Sequence, residues 1–315
     1  MWRRIENWFN AQAERITAVF VPDPGGLTLS PYEGYLQVSI AEGLLGQRRH
    51  WAKDQYPALH GGVCLSRPGA PALEFTTVQP QDTWKAPGIT LNRLITPEIP
   101  YNGGSVTVQA GLYRVPADGP LDAAIQVVSS LGDLLVPLRT AADIAGRVSR
   151  GLDQILGNLG EQPVLGVNWT MADGSLRAGR IVVVNAPDAP VEFAGDRLTT
   201  APGLDFLVIR LHCRTERSSW LFPELTELIG RSAEAFFQYG DGQVFRDLRT
   251  AAVSLAWNSP DLTPVDRKRV ARAVMAQVDD VLTLGVVPDV SGFDRIPPAD
   301  DPGLAALTLS DLLAG

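Results

Sequence analysis

The stretch Ser105–Val115, SVTVQAGLYRV, decides the fold class. Val106, Val108, Ala110 and Leu112 alternate with Thr107, Gln109, Gly111 and Tyr113. A period of two sends the two sets to opposite faces of a pleated strand, so the apolar set turns toward a core. Tyr101-Asn102-Gly103-Gly104, immediately before it, supplies residues that tolerate left-handed backbone and so predicts a turn. The segment upstream, Ile89–Ile95, is the expected hairpin partner.

Similar short runs lie on either side. Upstream are Ile16–Val21, closed by Pro22-Asp23-Pro24-Gly25-Gly26, then Tyr35–Ile40, and Val63–Ser66 opened by Gly61-Gly62. Downstream are Val164–Trp169, a turn at Asp173-Gly174, and Arg180–Asn185. Phe206–Arg214 alternates again, with Leu207, Ile209, Leu211 and Cys213 on one face. Phe206, Val208, Arg210, His212 and Arg214 take the other, and the first face is the expected core face. Eight or nine short, turn-bounded strands between residues 16 and 214 predict an antiparallel β-sandwich-like body.

Helical spacing enters at three places. Residues 2–14 place Trp2, Ile5, Trp8 and Phe9 near one face. Residues 120–158 carry Leu121, Ile125, Val128, then Ile144, Val148, Leu152 and Ile155, which predict a helical insertion in the body. After Arg217 the period changes for good. Leu225, Leu228, Ile229, Ala233 and Phe236 form one stripe; Val244, Leu248, Ala252 and Leu255 form a second. Thr263-Pro264-Val265-Asp266 starts the third helix with a capping hydroxyl, a proline in the first turn and an acid at its positive end. The expected organisation is a β body over 1–217, a three-helix unit over 218–284 packed on it, and a Pro/Gly-rich tail over 285–315. The class is therefore α+β.

Composition narrows the chemistry. Twenty-seven Lys and Arg against 35 Asp and Glu give a formal charge of −8, which counts against a broad nucleic-acid surface. The one compact basic and aromatic group, Arg48, Arg49, His50, Trp51 and Lys53 near Tyr56, is a weak signal of that kind. There is no apolar run of 18 residues to cross a membrane, and the polar faces within 120–158 carry too little Lys or Arg for a strong membrane-surface signal. Two cysteines, Cys64 and Cys213, and an N-terminus without a secretory pattern favour a reducing, cytoplasmic compartment.

Motifs for nucleotides, zinc or metalloprotease chemistry are missing from the sequence, so no cofactor or metal is expected. His60 and Cys64 flank Gly61-Gly62, but a cysteine within an apolar strand commonly serves as a small hydrophobe. Glu224 with Glu227, Asp279-Asp280 and Asp300-Asp301 are explained by helix ends and loops. The more distinctive pattern is Arg210-x-His212-x-Arg214, a stripe suited to a carboxylate or phosphate, or to acidic residues of a neighbouring segment. A second candidate surface is the tail, where Leu304, Leu307, Leu309, Leu312 and Leu313 crowd into ten residues. It is open to docking on its own body or to meeting another chain. The expected function is that of a non-catalytic interaction or structural protein acting through protein partners or self-association. The alternative is a hydrolase whose carboxylates converge from distant positions.

Overall fold

A computed structural model describes residues 2–46, 49–50, 53–67, 69–78, 93–116, 163–199, 203–220, 222–240, 242–284 and 296–314. The predicted insertion at 120–158 lies outside the described residues. So do the side chains of the basic group from Arg48 to Tyr56. The described residues fall into two compact units, one up to Thr215 and one from Glu216 onward.

The first unit starts with helix α1 (Trp2–Gln12) and holds two large antiparallel sheets and a two-stranded one. In one, β1 (Thr17–Pro22), β10 (Gly179–Val184), β13 (Phe206–Arg214) and β2 (Tyr35–Leu44) lie side by side. Two short strands, β6 (Arg93–Leu94) and β7 (Ile99–Pro100), finish its far edge on β2. The other sheet centres on β4 (Lys53–Arg67), with β3 (Arg49–His50) and β5 (Ala70–Val78) on one side. On its other side come β8 (Val106–Pro116) and β9 (Leu165–Met171). The apolar alternations meet between the sheets. Ile40, Ile181, Leu207, Ile209 and Leu211 from the first share one buried core with Val63, Val106, Val108, Leu112 and Val167 from the second. This is a sandwich.

Three details differ from the sequence expectations. The hairpin partner of β8 is not Ile89–Ile95. β8 has β4 on one side and β9 on the other, while Arg93–Leu94 belongs to the opposite sheet. Two long neighbours satisfy both backbone edges of β8, which a two-residue strand could not do. The Tyr101–Gly104 turn is present, with Gly103 and Gly104 at φ 87° and 89°, but it reverses the chain away from β7. Second, Gly61-Gly62 does not open a short strand; it lies inside the fifteen-residue β4. A Cβ at Gly61 would stand 2.7 Å from Ile95 Cδ1, so glycine there lets the sheets approach.

Third, the outer face of β13 is not wholly a solvent face. A small hairpin, β11 (Glu192–Ala194) and β12 (Arg197–Thr199), covers its first half. Leu198 joins Ala41, Val182, Val184, Phe206 and Val208 in a separate small core there. On the second sheet, α1 covers the outer face instead: Ile5 is fully buried and Trp8 lies over Gly166.

In the second unit, α2 (Pro223–Tyr239), α3 (Gly242–Trp257) and α4 (Pro264–Leu284) enclose Leu225, Ile229, Phe245, Val253, Val270, Val274 and Val278. Helix α2 stops at Gly240, whose φ of 60° suits the residue without a Cβ. The start of α4 has the expected cap: the Asp266 amide donates to Thr263 Oγ1 at 3.3 Å. Two short helices, α5 (Pro302–Ala305) and α6 (Leu309–Leu313), end the chain.

Candidate functional site

The register of the first sheet sets Arg180 directly across from Arg210. Residues of β13 alternate, so Arg210, His212 and Arg214 share the face on which Arg180 lies. Cross-strand guanidiniums repel one another unless anions stand between them. Two carboxylates do so. Asp23, from the turn after β1, accepts from Arg210 at 3.2 Å and stands 3.4 Å from Arg180. Asp196, from the β11–β12 turn, accepts from Arg210 Nη1 at 2.7 Å and makes a short bond to Arg180 Nη2. The result is a closed ring of alternating charge. Arg180 is also stacked 4.6 Å over the ring of Phe193.

This network floors an open cleft of about 670 Å³. Arg180, Arg210, His212 and Arg214 line it, with Asp23 among them and Phe193 at one side. Arg214 is the least restrained of the arginines, with half its side chain exposed and its carboxylate neighbour, Glu98, at 3.8 Å. The Nε–H groups of Arg180 and Arg210 are buried without a partner.

Electrostatics follow from this crowding. The hydrogen bond from Arg210, reinforced by Arg180, holds the Asp196 carboxyl below the usual carboxylate range. Burial, then the charges of Arg210 and Arg214, lower the pKa of His212, so its imidazole stays neutral at neutral pH. It is a neutral donor or acceptor beside fixed cations. Beneath the hairpin, burial raises the pKa of Glu42, against a hydrogen bond from the Leu198 backbone.

The stripe Arg210, His212, Arg214 is thus brought together on one cleft wall. The tail residues go elsewhere. Leu312 lies inside the core of the second unit, and Leu307, Leu309 and Leu313 pack against that core. Leu304 is buried too, and its carbonyl accepts from Lys268 Nζ at 3.0 Å. Arg249 Nη1 donates to the Leu312 carbonyl, and Thr308 with Asp311 forms a capping box on α6. Leu307, Leu309, Leu312 and Leu313 thus pack on the chain's own helical core, Leu312 buried and the other three half-buried.

His60 and Cys64 do not form an activated pair. His60 is buried with both ring nitrogens unpartnered, and burial raises the Cys64 thiol pKa, the wrong direction for a nucleophile. The cysteines are both free. Asp279 pairs with Arg249, and Asp301 caps α5 while pairing with Arg272. Among the described residues no group of histidine, cysteine and acidic side chains is arranged to hold a metal ion. Nor is any described helix long and apolar enough to cross a membrane. No family model and no curated protein matches the sequence.

Arg180, Asp23, Asp196 and Phe193 escaped sequence reasoning. Arg180 opens a strand whose alternation, Arg180, Val182, Val184, marks its face, but only the register to β13 makes it a partner of Arg210. Asp23 and Asp196 sit in turns, where an acid is ordinary.

Proposed function

We propose that the protein acts by non-covalent association with another polypeptide, and that the basic cleft of the β body receives an acidic segment of that partner. The observation that carries this reading is the lining of the cleft. Three guanidiniums and an imidazole line it, Arg180 and Arg210 sharing Asp23 and Asp196 while half-exposed Arg214 stands 3.8 Å from Glu98, on a chain whose overall charge is −8. Guanidiniums gathered at one cleft of an acidic protein favour acidic partners over basic ones. Arginine suits the task, because its planar fork meets carboxylates in two parallel bonds. Phe193 adds an apolar wall beside the charges.

Acid–base catalysis would require a carboxyl open to substrate. The cleft's carboxylates are engaged by arginines, and Glu42, whose pKa is raised, lies beneath Leu198. Association in a reducing, cytoplasmic setting is in keeping with two unpaired cysteines.

The test is fluorescence anisotropy with a labelled hexaglutamate peptide on the full chain at low salt. The expected result is saturable binding, weakened by added salt. Arg214→Glu is expected to weaken it about tenfold or more, because it replaces a charge-assisted contact by repulsion. Equal binding of a neutral hexaglutamine peptide, or an Arg214→Glu variant that binds as tightly as the parent, would overturn the reading.

A further inference from the structure

We infer that Asp196 is a tethered occupant of the cleft's anion position, and that a partner's carboxylate binds by taking its place on Arg180 and Arg210. This rests on the cleft reading above and adds its regulation: the β11–β12 hairpin is a gate that the ligand must open.

The asymmetry of the charge ring points to this. The side chains of Arg180 and Arg210 are 10% and 21% exposed, and that of Asp23 is 19% exposed. Asp196 is 73% exposed. Three members of the ring therefore belong to the floor, while the fourth reaches them from the solvent side, where an arriving carboxylate would come. It also binds as a ligand would, with one oxygen accepting from both guanidiniums.

The segment that carries Asp196 is short. Each strand of the hairpin has three residues, and Glu192, Ala194, Arg197 and Thr199 are exposed. Two strands alone are marginal in water. Leu198 in the small outer core and Phe193 under the Arg180 guanidinium fasten it. The turn residue Gly195 has a φ of 65°.

The floor also survives its departure. Asp23 contacts both arginines without Asp196, so opening does not strand two buried cations. An acidic peptide presents several carboxylates and Asp196 only one, which is how exchange can favour the ligand.

The experiment compares hexaglutamate affinity of the full chain with that of Asp196→Asn and Asp196→Glu, each checked for a parent-like thermal melt. Removing an internal competitor raises apparent affinity by the inverse of the fraction of time the site stood free. Asp196→Asn is therefore expected to bind about three- to tenfold more tightly, the worth of an exposed ion pair made to two partners. Asp196→Glu keeps the competing charge and is expected to stay near the parent. If Asp196→Asn binds no tighter while Arg214→Glu still loses binding, the gate is overturned and the cleft reading stands. If neither the parent nor Asp196→Asn binds hexaglutamate, the cleft reading fails and the gate falls with it.

Discussion

Acidification should destabilise the β body at His60 in particular. Its side chain lies on β4 at 4% exposure, with neither ring nitrogen paired. Burial pushes its pKa down to about 3, whereas the unfolded chain titrates near 6.5. The sign follows from which state takes up the proton first. Above about pH 6.5 both states are neutral and nothing is lost. As pH falls from there toward 3, the unfolded state is protonated while the folded state is not, so stability drops. Between about pH 8 and about pH 5 the loss from this residue is about 2 kcal/mol, and by about pH 4 about 3 kcal/mol. His60→Leu removes the titration at similar volume. It also removes two unsatisfied polar atoms, so the variant should match or exceed the parent near pH 8. The assay is urea denaturation of both proteins at both pH values, comparing the two pH differences. Equal pH dependence in parent and variant, or an imidazole titration of folded His60 centred near 6.5, would refute the reasoning.

Three further outcomes are expected. Leu211→Ala should cost about 2–5 kcal/mol, since Leu211 is fully buried between the sheets, and a loss below about 1 kcal/mol would show that the strand's core face is misassigned. Leu312→Ala should lower the melting temperature of the helical unit by a comparable free energy, because the tail belongs to that core; an unchanged melt would free the tail for a partner. Cys213 should label slowly with thiol reagents in the folded protein, its thiol pushed up to about 12 by burial and then by Asp23, and rapid labelling near pH 7 would contradict its packing.

Alternation made the strands legible and pairing stayed hidden. Val106–Leu112 and Leu207–Leu211 announced their core faces because burial on one side forces a period of two. Thr263-Pro264 announced a helix start because capping is local chemistry. Nothing local stated that β8 would lie between β4 and β9, since strand neighbours are chosen by non-local packing. Gly61-Gly62 misled for a related reason: glycine marks a turn as readily as a close approach of two sheets.

The same limit divides the candidate site. Arg210, His212 and Arg214 were visible as one stripe, being on one strand. Arg180 and the two carboxylates arrive from three other segments, and only the β10–β13 register and the hairpin assemble them. The tail leucines were visible as an apolar cluster. Their docking against the second unit's own core required the helices to be in place.

The cleft walled by Arg180, Arg210, His212 and Arg214 is proposed to receive a partner's acidic segment. Hydrogen–deuterium exchange of the full chain, with and without saturating hexaglutamate, locates that contact directly. The account predicts slowed exchange in the turn at Asp23–Leu27 and along Arg210–Arg214, with none gained across α2, α3 and α4. Protection confined to those helices, or no change anywhere at saturating peptide, would contradict it.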